Sequence, residues 1–171
     1  MYWLAYGGAC ALLRSAYLHA AIVLLAMTFP LWAKGGAWWE VPISSLPTML
    51  GFTVAALAVF IGFGDEDYRA LLAQPDEADK SGVSIYVSLC TTFVHFIIVQ
   101  ALAFSFAIVA SSWKAVAPPE WLVPFVIIGC GLGFFLFLYA VTSIVAVTMH
   151  IYRISQMYSA YHAIKSKSAN L

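Results

Sequence analysis

Residues 46–64 (LPTMLGFTVAALAVFIGFG) form an uninterrupted run of nineteen residues without a single charge, and three consecutive acidic residues follow it. A helix rises about 1.5 Å per residue, so about 20 apolar residues cross the ~30 Å hydrocarbon core of a bilayer. Of the 171 residues in the chain, 63% are hydrophobic and 9% are charged, whereas a soluble domain is roughly 25% charged. The sequence therefore predicts an integral membrane protein.

The same run carries small residues at a regular interval, namely Gly51, Ala55, Ala58 and Gly62. Spacings of four, three and four place them on one stripe of a helix. Lipid tails are as apolar as leucine, so small residues favour association by letting two backbones approach closely. We expect this span to be central in the bundle, with its small face turned to other helices. Packing alone and the lining of a pore both remain open as roles for the stripe.

The chain as a whole is predicted to be an all-α integral membrane protein, a bundle of four transmembrane helices. The spans are predicted at about residues 15–33, 44–64, 83–111 and 121–150. Residues 1–14 form an N-terminal segment that either lies in the interface or extends the first span. Asp65 is expected to cap a short helix in the acidic loop 65–82, and residues 151–171 to form an amphipathic tail on the membrane surface.

Charge sets the expected orientation. Six of the eight Lys and Arg residues lie in the N-terminal segment, the acidic loop and the tail, and only Lys34 and Lys114 lie in the two short loops. Basic residues concentrate in cytoplasmic loops, so both termini and the acidic loop are predicted to be cytoplasmic. We expect a cytoplasmic sensor protein to bind either the tail or the acidic loop, where Asp65, Glu66, Asp67 and Arg69 form a charged surface.

Polar residues recur inside the third and fourth spans. Those expected to share the bundle interior are Ser88, Thr92, His95, Gln100, Thr142, Ser143 and His150. Such groups are costly in lipid and face other helices or water, so they mark either interhelical hydrogen bonds or a path for ions or protons. Gly129 and Gly133 in the fourth span give a second signal for close packing.

Other chemistry has little support. The sequence has no HExxH, GxSxG or P-loop motif and no carboxylate pair inside a span, so we predict that the protein is not an enzyme. We predict no cofactor and no metal site, although His19 and His150 could ligate a haem if they face each other. A net charge of zero and the absence of a basic aromatic face argue against nucleic-acid binding.

The layout resembles that of the small four-span membrane proteins of phage-exclusion systems, the RexB-like proteins. The resemblance is carried by Ser44-Ser45-Leu46, the Ala-rich LGFTVAALAVFIGFG, the charged segment with Tyr68-Arg69-Ala70-Leu71 and the span that opens IYVSLCTTFVHF. It covers residues 44–153, and this chain departs from it in a longer acidic loop and an extended tail. The resemblance implies an ion-channel-like effector of abortive infection in the bacterial inner (plasma) membrane. Four short spans in one chain are too few to enclose a pore, so this function requires a homo-oligomer. The alternative is a non-conducting anchor or assembly subunit of a larger membrane complex.

Overall fold

The computed structural model describes residues 7–33, 36–75, 82–113 and 118–168, and within these ranges the protein is all-helical. The helices are α1 (Gly8–Arg14), α2 (Ala16–Met27), α3 (Phe29–Ala33), α4 (Glu40–Gly62), α5 (Glu66–Ala73), α6 (Ile85–Ser112) and α7 (Val123–Ser168). A 3-10 turn, Glu120–Leu122, precedes α7. In the described part of the chain, extended pairing is limited to one isolated bridge between Pro75 and Ser84.

Three helices, α4, α6 and α7, are long and apolar enough to cross a membrane. The pair α1 and α2 passes the same test when taken together, but the two helices are bent by 56° at Ser15, so the described residues contain three or four candidate spans by length and composition. Many large apolar side chains on these helices are exposed, among them Val59, Phe125 and Ile128. A surface of this kind is what lipid requires, and it agrees with the predicted class of membrane protein.

The N-terminal segment is less regular than the sequence predicts. The sequence predicts one span over residues 15–33, but α2 ends at Met27 and α3 begins at Phe29. Thr28 lies at the break, where its hydroxyl donates to the Leu24 carbonyl over 2.6 Å. Pro30 falls in the first turn of α3, where a missing N–H removes no helical hydrogen bond.

The fourth predicted span and the predicted tail form one helix. α7 is 46 residues long, about 69 Å at 1.5 Å per residue, and continues through His150 without a break. The apolar face expected to lie on the membrane instead packs within the protein, because Ile154 is buried and Tyr158 and Tyr161 contact Tyr68 of α5. The prediction of a separate surface-lying tail is therefore wrong.

Among the described helices, α7 rather than α4 has the most neighbours. α7 packs against α2, α3, α4 and α6, and α6 packs in turn against α4, α5 and α7. Two clusters of buried side chains follow each other along the bundle: one includes Leu46, Ala103 and Phe134, and the other includes Phe60 and Phe93. The first lies toward the end where residues 36–39 and the 3-10 turn meet, here called the tryptophan end. The second lies toward α5.

Candidate functional site

The small-residue stripe of α4 faces outward. Gly51, Ala55, Ala58 and Gly62 are all exposed, and a Cβ added to Gly51 or Gly62 would meet no atom within 4 Å. α4 packs against the bundle through other positions, and the buried ones are Pro42, Leu46, Thr53, Ala56 and Phe60. Within one chain, the expectation that the stripe faces other helices is wrong. Its contact with another copy stays a prediction.

Only one glycine of the predicted pair on α7 is a close-packing site. A Cβ on Gly133 would lie 2.5 Å from Cη2 of Trp38, and one on Gly131 would lie 2.9 Å from Cζ3 of Trp32. Gly129 is exposed, and a Cβ there would meet nothing within 4 Å. The glycines therefore admit the indole rings of the preceding segment and do not bring two helix backbones together.

The close contacts between helices use alanines that the sequence analysis did not single out. Ala103 and Ala107 of α6, Ala140 of α7 and Ala21 of α2 are completely buried, and Ala146 of α7 is 1% exposed. The spacing of four between Ala103 and Ala107 is the same kind of signal as the stripe in α4. In a helix with small residues on several sides, this spacing does not show which side is covered.

His95 belongs to a hydrogen bond between α6 and α7. Its Nε2 lies 3.1 Å from the Tyr139 hydroxyl, and both side chains are buried. The imidazole packs edge to face against the Tyr139 ring and also contacts Phe96. The histidine therefore links two spans in an aromatic environment.

Gln100 links α6 to α4 on another side of the same helix. Its Nε2 donates to Thr53 Oγ1 over 2.9 Å, and Thr53 donates in turn to the Met49 carbonyl. Both side chains are completely buried. The Gln100 Oε1 atom has no hydrogen-bond partner among the described residues. One half of this amide joins two spans, while the other half adds a desolvation cost.

Two of the polar residues predicted in α7, Thr142 and Ser143, donate hydrogen bonds to backbone carbonyls. Thr142 Oγ1 donates to the Tyr17 carbonyl of α2 over 3.0 Å, and it also contacts the Tyr139 carbonyl. Ser143 donates to the Ala140 carbonyl over 2.6 Å. Thr142 therefore ties the N-terminal segment to α7, and Ser143 lets α7 pack closely.

The remaining predicted residues do not join these contacts. Ser88 is exposed, and the Thr92 hydroxyl donates to the Ser88 carbonyl within α6. His150 is half-buried beside Phe93, with 6.4 Å between ring centroids, and its Nδ1 has no hydrogen-bond partner in the described part of the chain. The residues of the predicted polar path therefore do not form one continuous group, and each makes its own separate contact.

The haem alternative depends on His19 and His150 facing each other. His19 is exposed, and its Nδ1 lies 2.8 Å from the Ser15 carbonyl one turn earlier in the chain. Among the described residues, no group of three or more His, Cys, Asp or Glu side chains could hold a metal ion. The contacts found for these two histidines give the haem reading no support.

A second polar site lies where α5 packs against α7. The sequence predicts its acidic residues but not their partners on α7. Asp65 caps α5, as expected, because its Oδ1 accepts from the Tyr68 N–H over 2.9 Å. The Tyr68 side chain is 2% exposed and its hydroxyl donates to the Ile154 carbonyl over 3.4 Å. Its ring contacts the rings of Tyr158 and Tyr161 on α7. We call this contact the α5 junction.

Charges close the α5 junction at its outer edge. Lys165 Nζ of α7 donates to Asp67 Oδ2 over 2.8 Å, lies 3.6 Å from Asp65 Oδ2 and donates to the Tyr161 hydroxyl over 3.3 Å. The lysine side chain is 48% exposed, so the ion pair is a surface interaction. Glu66 and Arg69 line a separate cavity of about 430 Å³ with Tyr86.

The α5 junction shifts the pKa values of its members. The hydrogen bond from the Tyr68 N–H is the largest cause that lowers the pKa of Asp65 below 3.8, and the charge of Lys165 acts in the same direction. Burial raises the pKa of Tyr68, with a further contribution from Tyr158. The bond to Asp67 raises the pKa of Lys165 above its usual value. The junction therefore favours charged Asp65 and Lys165 together with neutral Tyr68.

Two larger cavities lie at opposite ends of the bundle. One of about 850 Å³ lies at the tryptophan end, where Trp32, Trp38, Trp39, Trp113 and Cys130 contribute to its walls. The other, about 790 Å³, lies beside the α5 junction between Leu71 and Ile164. None of the seven residues of the predicted polar path lines either of these cavities or the smaller one beside Tyr86.

Comparison with protein-family models, with curated proteins and with solved structures finds no match for this chain.

Proposed function

We propose that the protein is a multi-pass protein of a bacterial inner membrane that self-associates through the outward face of α4, and that its assembled form lets ions cross the membrane. One observation carries the proposal: the small-residue stripe is uncovered in a single chain, with open space beside Gly51 and Gly62. The arrangement we propose has four spans and both termini in the cytoplasm, and the distribution of Lys and Arg supports this orientation.

The stripe is longer than its glycines and alanines. Ser44 and Thr48 precede Gly51 at spacings of four and three, and both are exposed. The outward face of α4 therefore combines small and hydroxyl-bearing residues along its length. Such residues let helices approach closely, and their hydroxyls supply hydrogen bonds between helices or to water. A second copy would cover this face more favourably than lipid tails do.

We propose that ions pass between copies because polar side chains inside one chain already form hydrogen bonds with one another or with the backbone. His95 is bonded to Tyr139, Gln100 to Thr53 and Thr142 to the Tyr17 carbonyl. Groups that already bond across helices do not replace the hydration shell of an ion. The hydroxyls of Ser44 and Thr48 are the polar groups that α4 would bring to an interface between copies.

Crosslinking tests the association. In a chain whose three cysteines are replaced by alanine, Ala55→Cys places a thiol on the stripe, and Val54→Cys places one at the same depth on another exposed position. We expect oxidation in membranes to yield a dimer with Ala55→Cys and little dimer with Val54→Cys. Equal yields from the two variants at low protein density would contradict self-association through the stripe.

Flux from liposomes tests conduction separately. We expect potassium flux, reported by an indicator trapped in the liposomes, to rise more steeply than in proportion to protein density. Ala55→Leu should reduce this flux at least several-fold. Dimers without flux would leave the association in place and refute the channel. That result would favour the second candidate, a non-conducting anchor or assembly subunit. The hydrogen bonds that His95, Gln100 and Thr142 form between helices also favour this candidate.

The role in phage defence rests on the resemblance to RexB-like proteins. If it is correct, cells that express the protein lose membrane potential and stop growing after infection, and the phage yield falls. The Ala55→Leu variant, expressed at the same level, is the matched control and should restore the phage yield. Equal phage yields with and without the protein across unrelated phages would remove the defence assignment.

A further inference from the structure

The short helix α5 touches or adjoins three of the long helices. It follows α4 through Phe63, Gly64 and Asp65, it packs against α6 and is linked to its start by the bridge between Pro75 and Ser84, and its side chains contact α7. A displacement of α5 therefore acts on the ends of three helices at once. No other described helix of this length has such a position.

The contact between α5 and α7 combines an aromatic part with an ionic part. Tyr68 is buried against Tyr158, with 5.0 Å between ring centroids, and Phe63 contacts the same tyrosine at 4.8 Å. Lys165 adds the ion pairs to Asp67 and Asp65 at the exposed edge. Aromatic contacts change little with salt, whereas exposed ion pairs weaken as salt screens them.

We infer that α5 is an ionic latch: Lys165 holds α5 against α7, and its release loosens the ends of the spans that meet there. The inference does not depend on self-association or on conduction. Three features support it, namely the direct ion pairs, the exposure of the lysine and the hydrogen bond from the Tyr68 hydroxyl of α5 to the carbonyl of Ile154, which belongs to the buried cluster of that half of the bundle. Ile154 and Met157 of α7 belong to this cluster, and so does Cys90 of α6.

Hydrogen exchange of the full-length protein in nanodiscs tests the latch. We expect Lys165→Glu to speed amide exchange in α5 about five- to tenfold, because attraction to two carboxylates becomes repulsion. Lys167→Glu makes the same charge change at an exposed residue outside these contacts, and it should leave exchange within twofold of wild type. The double swap of Lys165→Glu with Asp67→Lys should recover most of the protection.

Salt gives a signature that a merely structural contact lacks. Raising the salt from 0.1 to 1 M shortens the Debye length from about 10 Å to about 3 Å. Exchange in α5 should then become faster in the wild type and slower in Lys165→Glu, because salt screens attraction in one and repulsion in the other. The same direction of change in both proteins would overturn the ionic latch.

Native cysteines report whether release reaches the bundle. Cys90 is half-buried in the cluster beside the α5 junction, and Cys130 is half-buried toward the tryptophan end. We expect Lys165→Glu to raise the maleimide labelling rate of Cys90 at least threefold and to leave that of Cys130 unchanged. Faster exchange in α5 with an unchanged Cys90 rate would refute the coupling, and an equal rise at both cysteines would show general unfolding instead of a latch.

Discussion

At the scale of single residues, Gly133 shows how little space separates α7 from the tryptophan-rich segment before α4. The ring of Trp38 is 5% exposed and packs edge to face against Phe134, with 6.0 Å between centroids. A methyl group at position 133 would lie 2.5 Å from this ring, so the ring or the helix would have to shift to admit it. The contact therefore fixes the distance between two segments that are far apart in sequence.

We expect Gly133→Ala to lower the free energy of unfolding by about 1–3 kcal/mol, the usual cost of overpacking. Gly129→Ala is the matched control, since it makes the same change one turn away at an exposed position with open space around it. Thermal unfolding in detergent, followed by circular dichroism, measures both. Equal midpoints for the two variants would mean that Trp38 does not press on α7.

Asp65 predicts how the α5 junction responds to acid. Its pKa is lower in the folded protein than the ordinary 3.8, first because of the Tyr68 N–H and then because of Lys165. A carboxyl whose folded pKa is lowered stabilises the fold above its unfolded pKa, and the contribution is lost as the pH falls through the folded value. We expect protection of the Tyr68 amide, corrected for intrinsic exchange rates, to be constant from pH 7 to 5 and to fall below pH 4. Asp65→Asn should remove this dependence, and an unchanged acid response in that variant would contradict the assignment.

At the scale of helices, the sequence predicts where the spans are better than which side of each span is covered. The extents of α4 and α6 follow from apolar length, with Ser84 capping the start of α6 and Asp65 capping α5 just after α4 has ended. The covered side of α4 depends on its neighbours, and the buried Thr53 and Phe60 lie opposite a stripe that looks equally suited to packing. The sequence likewise does not predict that Tyr68 is buried against α7. Its partners there lie about 90 residues further along the chain.

The turn from α4 into α5 depends on Gly64. Its φ is +87°, and a Cβ there would lie 2.6 Å from Cδ1 of Tyr68. Gly82 also has a positive φ, +64°, but a Cβ there would meet nothing within 4 Å. Gly64→Ala should therefore weaken the docking of α5 more than Gly82→Ala does, because only the first variant adds a clash to the backbone cost of about 1–2 kcal/mol. Amide exchange in residues 65–73 measures the difference, and comparable exchange in both variants would contradict it.

The contact between α4 and α6 is expected to be structural. Gln100→Leu removes an amide with an unpaired Oε1 and keeps a similar volume, so we expect it to change stability by less than about 1 kcal/mol. A double-mutant cycle with Thr53→Val should give a coupling of about 0.6 kcal/mol, typical of polar pairs between membrane helices. Steric trapping or unfolding in mixed detergent supplies the stabilities. If Gln100→Leu abolished ion flux while stability held, an ion path through this pair would replace the structural assignment.

At the scale of the whole molecule, the polar residues and the acidic loop make different contacts from those predicted. The polar side chains of the predicted path bond separately, His95 to α7 and Gln100 to α4, and the acidic loop joins the tail through Lys165. Composition predicts the membrane class because it needs only the sum of apolar surface. The pairing of distant side chains depends on helix rotation, which the periodicity of an almost uniformly apolar helix does not specify. We propose assembly through the outward stripe and regulation at the α5 junction.

The number of spans is decided by the N-terminal segment, and its contacts favour a crossing. Tyr17 of α2 meets Thr142 of α7, while Trp32 of α3 meets Gly131. Later residues of this segment thus contact earlier residues of α7, so the two run antiparallel over eleven residues of α7, about 16 Å at 1.5 Å per residue. The helix α1 precedes this segment and is bent from α2 by 56°.

Labelling with a membrane-impermeant maleimide tests this topology. Cys10 is exposed, and with Cys90 and Cys130 replaced by alanine it is the remaining thiol. We expect Cys10 to react in inverted vesicles and not in intact spheroplasts, as Lys167→Cys should in a cysteine-free chain, whereas Glu120→Cys at the tryptophan end should react in spheroplasts. If Cys10 behaved like Glu120→Cys, the protein would have three spans and its termini would lie on opposite sides. The bend at Ser15 would then mark a segment that enters and leaves by the same face. The expected pattern would instead place Arg14 beside Arg153 and Lys165 on the cytoplasmic side, where basic residues favour retention.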